Sequence, residues 1–215
     1  MAAEVFTVFG FGVDSTMLTM TGITAALGGV SYAASRKMKA VPGRFQSAME
    51  LLVEALRNFL GDVLGGDNAR RYLPLLGTMF LFILVANFSG LVPGIKPPTA
   101  TLSVTAGLAI IIFLSVNIFG IKQKGLGYFK HFISPFAFLL PLIIIEEIVR
   151  PVSLSLRLYG NIFGEKTVVT EITNLIPLIA PLPFFFLGIL LGFLQALVFT
   201  MLSSIYISGA IGDGH

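Results

Sequence analysis

The 215-residue sequence contains no cysteine, no tryptophan and two histidines, His131 and His215. Without cysteine it can form neither a disulfide nor a thiolate metal site. Two histidines are too few for a histidine metal cluster, so no cofactor or metal is expected. Charge is scarce as well: 12% of residues are Asp, Glu, Lys or Arg, against roughly 25% in soluble domains. Apolar side chains dominate, at 55% of the chain with a mean hydropathy of +0.92. Such a composition cannot be divided into an apolar core and a polar shell, so the chain is an integral membrane protein with the lipid bilayer as its solvent. The net charge of +3 is small. It calls for no nucleic acid and fits loops that face anionic lipid. The start, MAAEVFTVFGFGVDS, has no basic region ahead of an apolar run and is read as carrying no signal peptide.

A helix needs about 20 apolar residues to cross a hydrocarbon core of about 30 Å. Five segments meet this: residues 15–35, 73–91, 101–121, 134–173 and 176–210. Between the first two, residues 43–66 repeat Leu51, Leu52, Ala55, Leu56, Phe59 and Leu60 at helical spacing, broken by Glu50, Glu54, Arg57 and Asp62. That pattern describes an amphipathic helix at the membrane surface. The expected fold is therefore all-α: one membrane domain over residues 1–215, with about five transmembrane helices and a surface helix. The last two segments exceed the membrane thickness, because about 35 helical residues reach roughly 50 Å. They are expected to form a long, strongly tilted hairpin. Basic residues gather in 36–71 and 122–130, whereas the loop VPGIKPPTA has a single lysine. The positive-inside rule puts both basic loops in the cytoplasm, the N-terminus outside and the C-terminus inside.

The fourth segment interrupts its apolar run with EEIVRPVSLSLRLYGN, residues 146–161. Arg150, Ser153, Arg157, Asn161 and Gly164 share one helical stripe, and Glu146 precedes Arg150 by one turn, the favourable order for an ion pair. Glu146–Arg150 is equally readable as a buried pair that holds helices together. Arg157 has no acid one turn away in either direction. A charge at mid-membrane costs about 2.5–3.5 kcal/mol on insertion scales, and arginine cannot escape by losing its proton. Its anion must come from elsewhere. Gly160 and Gly164 lie near Arg157 and let another surface approach it. Pro151 removes a helical hydrogen bond to the Glu147 carbonyl, which favours a local bend. The fifth segment offers Gly188, Gly192, Gln195, Phe199 and Tyr206 on one side. Gly188 and Gly192 form a small-residue pair suited to close packing on the fourth segment. Gln195, a lone amide in an apolar run, wants a polar partner, and an arginine across the hairpin would serve.

RPVSLSLRLYGNIFGE, PLLGTMFLFILVANFSGLVPG and LQALVFTMLSSIYIS together resemble subunit a of F-type rotary ATP synthases, across about residues 40–210. The resemblance implies a non-catalytic stator subunit beside the c-ring, held by peripheral-stalk b subunits, in a bacterial inner membrane. Arg157 would face the c-subunit carboxylates and separate two half-channels that carry protons or sodium ions. Asn161, Gln195, Ser153 and Tyr206 would line the site or its access paths, and Glu146 and Glu147 the cytoplasmic side. The chain also departs from the family pattern. Where many members carry an acid further along the fourth segment, this chain has Lys166, with Glu165 just before it and turned by about 100°. Where some have a histidine it has Gly188, and Thr101 and Ser103 stand where others often have Asp and Asn. Glu165 is expected to take the acid's role, with Glu171 as a second acid near that end. Two other classes fit less well. A stand-alone secondary transporter often shows internal repeats, and the sequence has none. A membrane hydrolase needs a nucleophile–base pair or a metal set, and neither is apparent.

Overall fold

Among the described residues six long helices carry the fold. The structure is a computed structural model that describes residues 5–8, 11–36, 43–92, 95–125, 127, 140–175 and 181–212. Both histidines, residues 37–42 and 128–139, and the connection 176–180 lie outside the described residues, and with them the start of the fourth expected span. The helices are α1 (Ser15–Arg36), α2 (Arg44–Leu64), α3 (Gly66–Phe88), α4 (Leu102–Lys124), α5 (Leu140–Leu175) and α6 (Pro181–Ile211). A short antiparallel hairpin, β1 (Val5–Val8) with β2 (Phe11–Asp14), precedes α1 in a region where no strand was expected from the sequence.

The core is built from apolar residues one turn apart on successive helices. Leu56, Leu60 and Leu64 of α2 meet Tyr72, Leu76 and Phe80 of α3. Leu108, Ile112 and Val116 of α4 face Leu154, Leu158 and Ile162 of α5. Helix α6 runs through the middle and packs on α2, α3, α4 and α5. Part of the amphipathic stripe on α2 is thus spent on protein: Leu56, Leu60 and Leu64 are buried in the bundle, and Leu51 and Val53 remain exposed. Gly65 makes the tight passage from α2 into α3 with φ +77°, a backbone state that costs glycine nothing, and its N–H bonds the Gly61 carbonyl at 3.0 Å. Helix α3 begins at Gly66, well ahead of the apolar run at Leu73, because the polar turn GDNARRY continues the helix.

Among the described residues four helical segments are long and apolar enough to cross a membrane: Ser15–Arg36, Gly66–Leu91, Leu102–Lys124 and Leu182–Ile211. Helix α5 has the length, at 36 residues. Glu146, Glu147, Arg150, Arg157, Glu165, Lys166 and Glu171 leave it no long uncharged stretch. It runs unbroken through Pro151. It packs on α4, α6 and the 3₁₀ turn Pro98–Ala100 by one face, and leaves the other open.

Candidate functional site

The open face of α5 carries Arg157. Leu154, Ser155, Leu158 and Ile162 turn inward and are buried, so the intervening Leu156, Arg157, Gly160 and Asn161 are exposed. A Cβ added to Gly160 or Gly164 would meet nothing within 4 Å. Among the described residues no carboxylate lies within ion-pair distance of Arg157. Ile145, Ile148, Val149 and Val152 extend the same exposed side as an apolar strip.

Arg150 is the opposite case. Its Nη2 donates to Glu146 Oε1 at 2.7 Å and its Nη1 to Glu147 Oε1 at 2.8 Å. Its guanidinium lies 5.5 Å above the centre of the Tyr206 ring, within cation–π range. A small crevice between α4, α5 and α6 joins Glu147, Arg150 and Tyr206. Ser153 is half-buried one turn further along α5. The expected Glu146–Arg150 pair therefore exists, but it is a three-residue cluster at a half-exposed position and not a buried clasp between helices.

Gln195 is buried on α6 and finds a different partner from the arginine expected: its Oε1 accepts from Asn161 Nδ2 at 2.6 Å. Asn161 stands one turn after Arg157, at the edge of the hairpin, and its amide reaches across. Among the described residues Gln195 Nε2 has no hydrogen-bond partner, so the hairpin holds a buried donor beside Asn161.

Gly188 and Gly192 of α6 meet different neighbours. The Glu165 carboxylate lies directly on Gly188, in the space a side chain there would fill. Gly192 does not face α5. A Cβ there would stand 3.3 Å from Asn87 Cβ and 3.5 Å from the Phe88 ring of α3. Glu165 also borders two cavities. One, of about 150 Å³, lies under the α3–α4 connection with Asn87, Pro97 and Gly188 on its walls. The other, of about 320 Å³, opens along the α5–α6 groove beside Asn161, Leu187 and Leu191. Lys166 Nζ donates to the Ile95 carbonyl at 2.8 Å and ties α5 to that connection. Glu171 is exposed further along α5.

A family model described as ATP synthase A chain matches residues 16–208. The chain belongs to the ATP synthase subunit a family. ATP synthase subunit a of Moorella thermoacetica is 44% identical over 99% of this chain and 97% of its own. ATP synthase subunit a 3 of Pelobacter propionicus is 42% identical over 86% of this chain and 82% of its own. ATP synthase subunit a of Geobacter sulfurreducens is 43% identical over 86% of this chain and 82% of its own. The protein is thus an ATP synthase subunit and integral to the membrane. Within this subunit a fold, Asn87 is the polar residue that reading by single charges passes over. Its signal is the one that singles out Gln195, a lone amide in the apolar run FILVANF.

Proposed function

We propose that this subunit is the non-catalytic stator element that offers two ion half-channels to a c-ring and couples proton or sodium flow to rotation and ATP synthesis. The observation that carries this reading is the contrast between two arginines of one helix. Arg150 is matched by two acids, whereas Arg157 is exposed on the open face of α5 with none among the described residues. A permanent charge left unmatched at that depth needs an anion from a partner, and a ring of c-subunit carboxylates supplies one that comes and goes. Glu147, Ser153 and Tyr206, with Glu146 at the rim, form the cytoplasmic access path. Glu165 ends the outer one, and Asn161 with Gln195 stands between. Gly160 and Gly164 keep the face beside Arg157 low enough for a ring helix to approach.

At about 1.5 Å per residue, α5 and α6 reach roughly 54 and 46 Å. Against a core of about 30 Å they lie at a steep tilt along the ring. Peripheral-stalk b subunits hold the subunit against rotation in a bacterial inner membrane, with the C-terminus in the cytoplasm.

The test uses the assembled synthase in membrane vesicles. Arg157→Ala abolishes both ATP synthesis and ATP-driven ion pumping and leaves a passive leak, because nothing then separates the half-channels. Arg157→Lys abolishes coupled synthesis too, since a compact ammonium lacks the planar fork and can lose its proton. Near-parental pumping by the Arg157→Ala vesicles would overturn the reading.

A further inference from the structure

Gly188, Gly192 and Gln195 share one stripe of α6, one turn apart. The two ends of that stripe serve α5: Glu165 lies on Gly188, and Asn161 bonds Gln195 at 2.6 Å. The middle does not. The Gly192 carbonyl accepts a hydrogen bond from Asn87 Nδ2 of α3 at 2.9 Å, and Asn87 Oδ1 accepts from Thr99 Oγ1 at 2.8 Å. Asn87 and Thr99 are both buried. A carbonyl only accepts, so Gly192 requires the NH₂ end of the amide, and Thr99 takes the other end. The side chain is thereby fixed at both ends, between a turn of the static bundle and the backbone of α6.

The reason such a bond matters lies at Gly192 itself. A glycine presents a flat helix surface with no knob to fit a hole, so packing alone sets the height and rotation of α6 weakly at this point. In hydrocarbon no water competes for the carbonyl. A directed hydrogen bond then supplies the register that a side chain would supply elsewhere. We propose that Asn87, oriented by Thr99, is a positioning residue for the hairpin: through the Gly192 carbonyl it sets α6 at the height where Gln195 meets Asn161 and Gly188 lies beneath Glu165. Its functional meaning rests on the ion-path reading above.

The lack of native cysteine in this chain makes the test clean. In assembled synthase in vesicles, the pair Asn161→Cys with Gln195→Cys is bridged by short bifunctional methanethiosulfonates and reports the α5–α6 register. The pair Thr105→Cys with Ser155→Cys, whose parental hydroxyls stand 3.3 Å apart, reports α4–α5 by disulfide formation and serves as the control. Adding Asn87→Ala lowers the bridging yield of the first pair by up to about tenfold, the scale of one buried hydrogen bond, and leaves the second pair unchanged. Thr99→Val gives a smaller fall in the first pair. With native Asn161 and Gln195 retained, Asn87→Ala also slows ATP-driven pumping while the subunit still co-purifies with the ring. Unchanged bridging in the first pair, or an equal fall in both pairs, overturns the proposal. If Asn87→Ala does not assemble, Thr99→Val decides by the same two readouts. If Arg157→Ala still pumps while the first pair responds as described, the ion-path reading fails and the positioning role stands.

Discussion

Two arginines seven residues apart on α5 show how neighbours divide one chemistry into two roles. Arg150 spends its guanidinium on Glu146, Glu147 and the Tyr206 ring. Half-exposed pairs of this kind contribute little stability, typically under about 1 kcal/mol, so the cluster is better understood as a polar lining than as a strut. Arg157 has no carboxylate within ion-pair distance among the described residues. Glu165 is the other residue whose place decides its role, because it borders both cavities at the end of the hairpin. Replacing it with Gln keeps the size and removes the titrating carboxyl. Glu165→Gln is therefore expected to slow ion-driven ATP synthesis by about 100-fold, the lower end of a general acid–base contribution, and to shift its pH dependence. Lys166→Gln keeps a donor for the Ile95 carbonyl and is expected to stay near parental. Synthesis rates in vesicles over a pH series check both. Parental rates for Glu165→Gln with a crippled Lys166→Gln would reverse the assignment.

At the scale of elements, α6 works by contrast along its length. Gly188 opposes the flexible end of a glutamate, which can swing away from an added methyl group. Gly192 opposes the Cβ of Asn87 and the ring of Phe88, which cannot. Gly192→Leu is therefore expected to overfill the α3–α6 contact at a cost of about 1–3 kcal/mol. It should reduce the amount of subunit retained on the purified ring complex after mild heating. Full retention would mean that the glycine is not held as tightly as its neighbours indicate. Gly188→Ala should assemble normally. Helix α2 makes a related point. Its polar residues Glu50, Glu54, Arg57 and Asp62 stay exposed, while Leu56, Leu60 and Leu64 join it to the bundle core.

For the whole molecule, α6 is the hub that touches α2, α3, α4 and α5, while α5 is an edge helix with one face open. Helix α1 buries only Thr16 and Ile23, so most of its surface is left to lipid or a partner. The ends of the bundle differ in charge. Arg71 reaches Gln123, and Lys124 donates to the Gly212 carbonyl just past α6, which gathers the basic residues of α3 and α4 at one end. Lys96 lies at the opposite end, in the connection before α4. With the basic end in the cytoplasm, a membrane-impermeant maleimide should label Gly125→Cys in inverted vesicles and Lys96→Cys in right-side-out vesicles. The reverse pattern would invert the topology.

The helical membrane class follows from the sequence alone, since runs of about 20 apolar residues allow little else in a bilayer. The motif RPVSLSLRLYGNIFGE pointed to the family, and the solitary state of Arg157 was visible because helical neighbours are a matter of local spacing. Contacts between helices were not visible in that way. Gln195 was expected to meet an arginine and meets Asn161; Gly192 was expected to meet α5 and meets Asn87 of α3. Leu56 and Leu60 of the α2 stripe were expected at the membrane surface and are core. An apolar residue looks the same to lipid as to another helix, and an amide can take any donor or acceptor within reach. Which face turns inward, and which polar group lies opposite, is set by the rotation and height of each helix against its neighbours. Those are properties of the packed bundle, and hydropathy and spacing along one chain do not contain them.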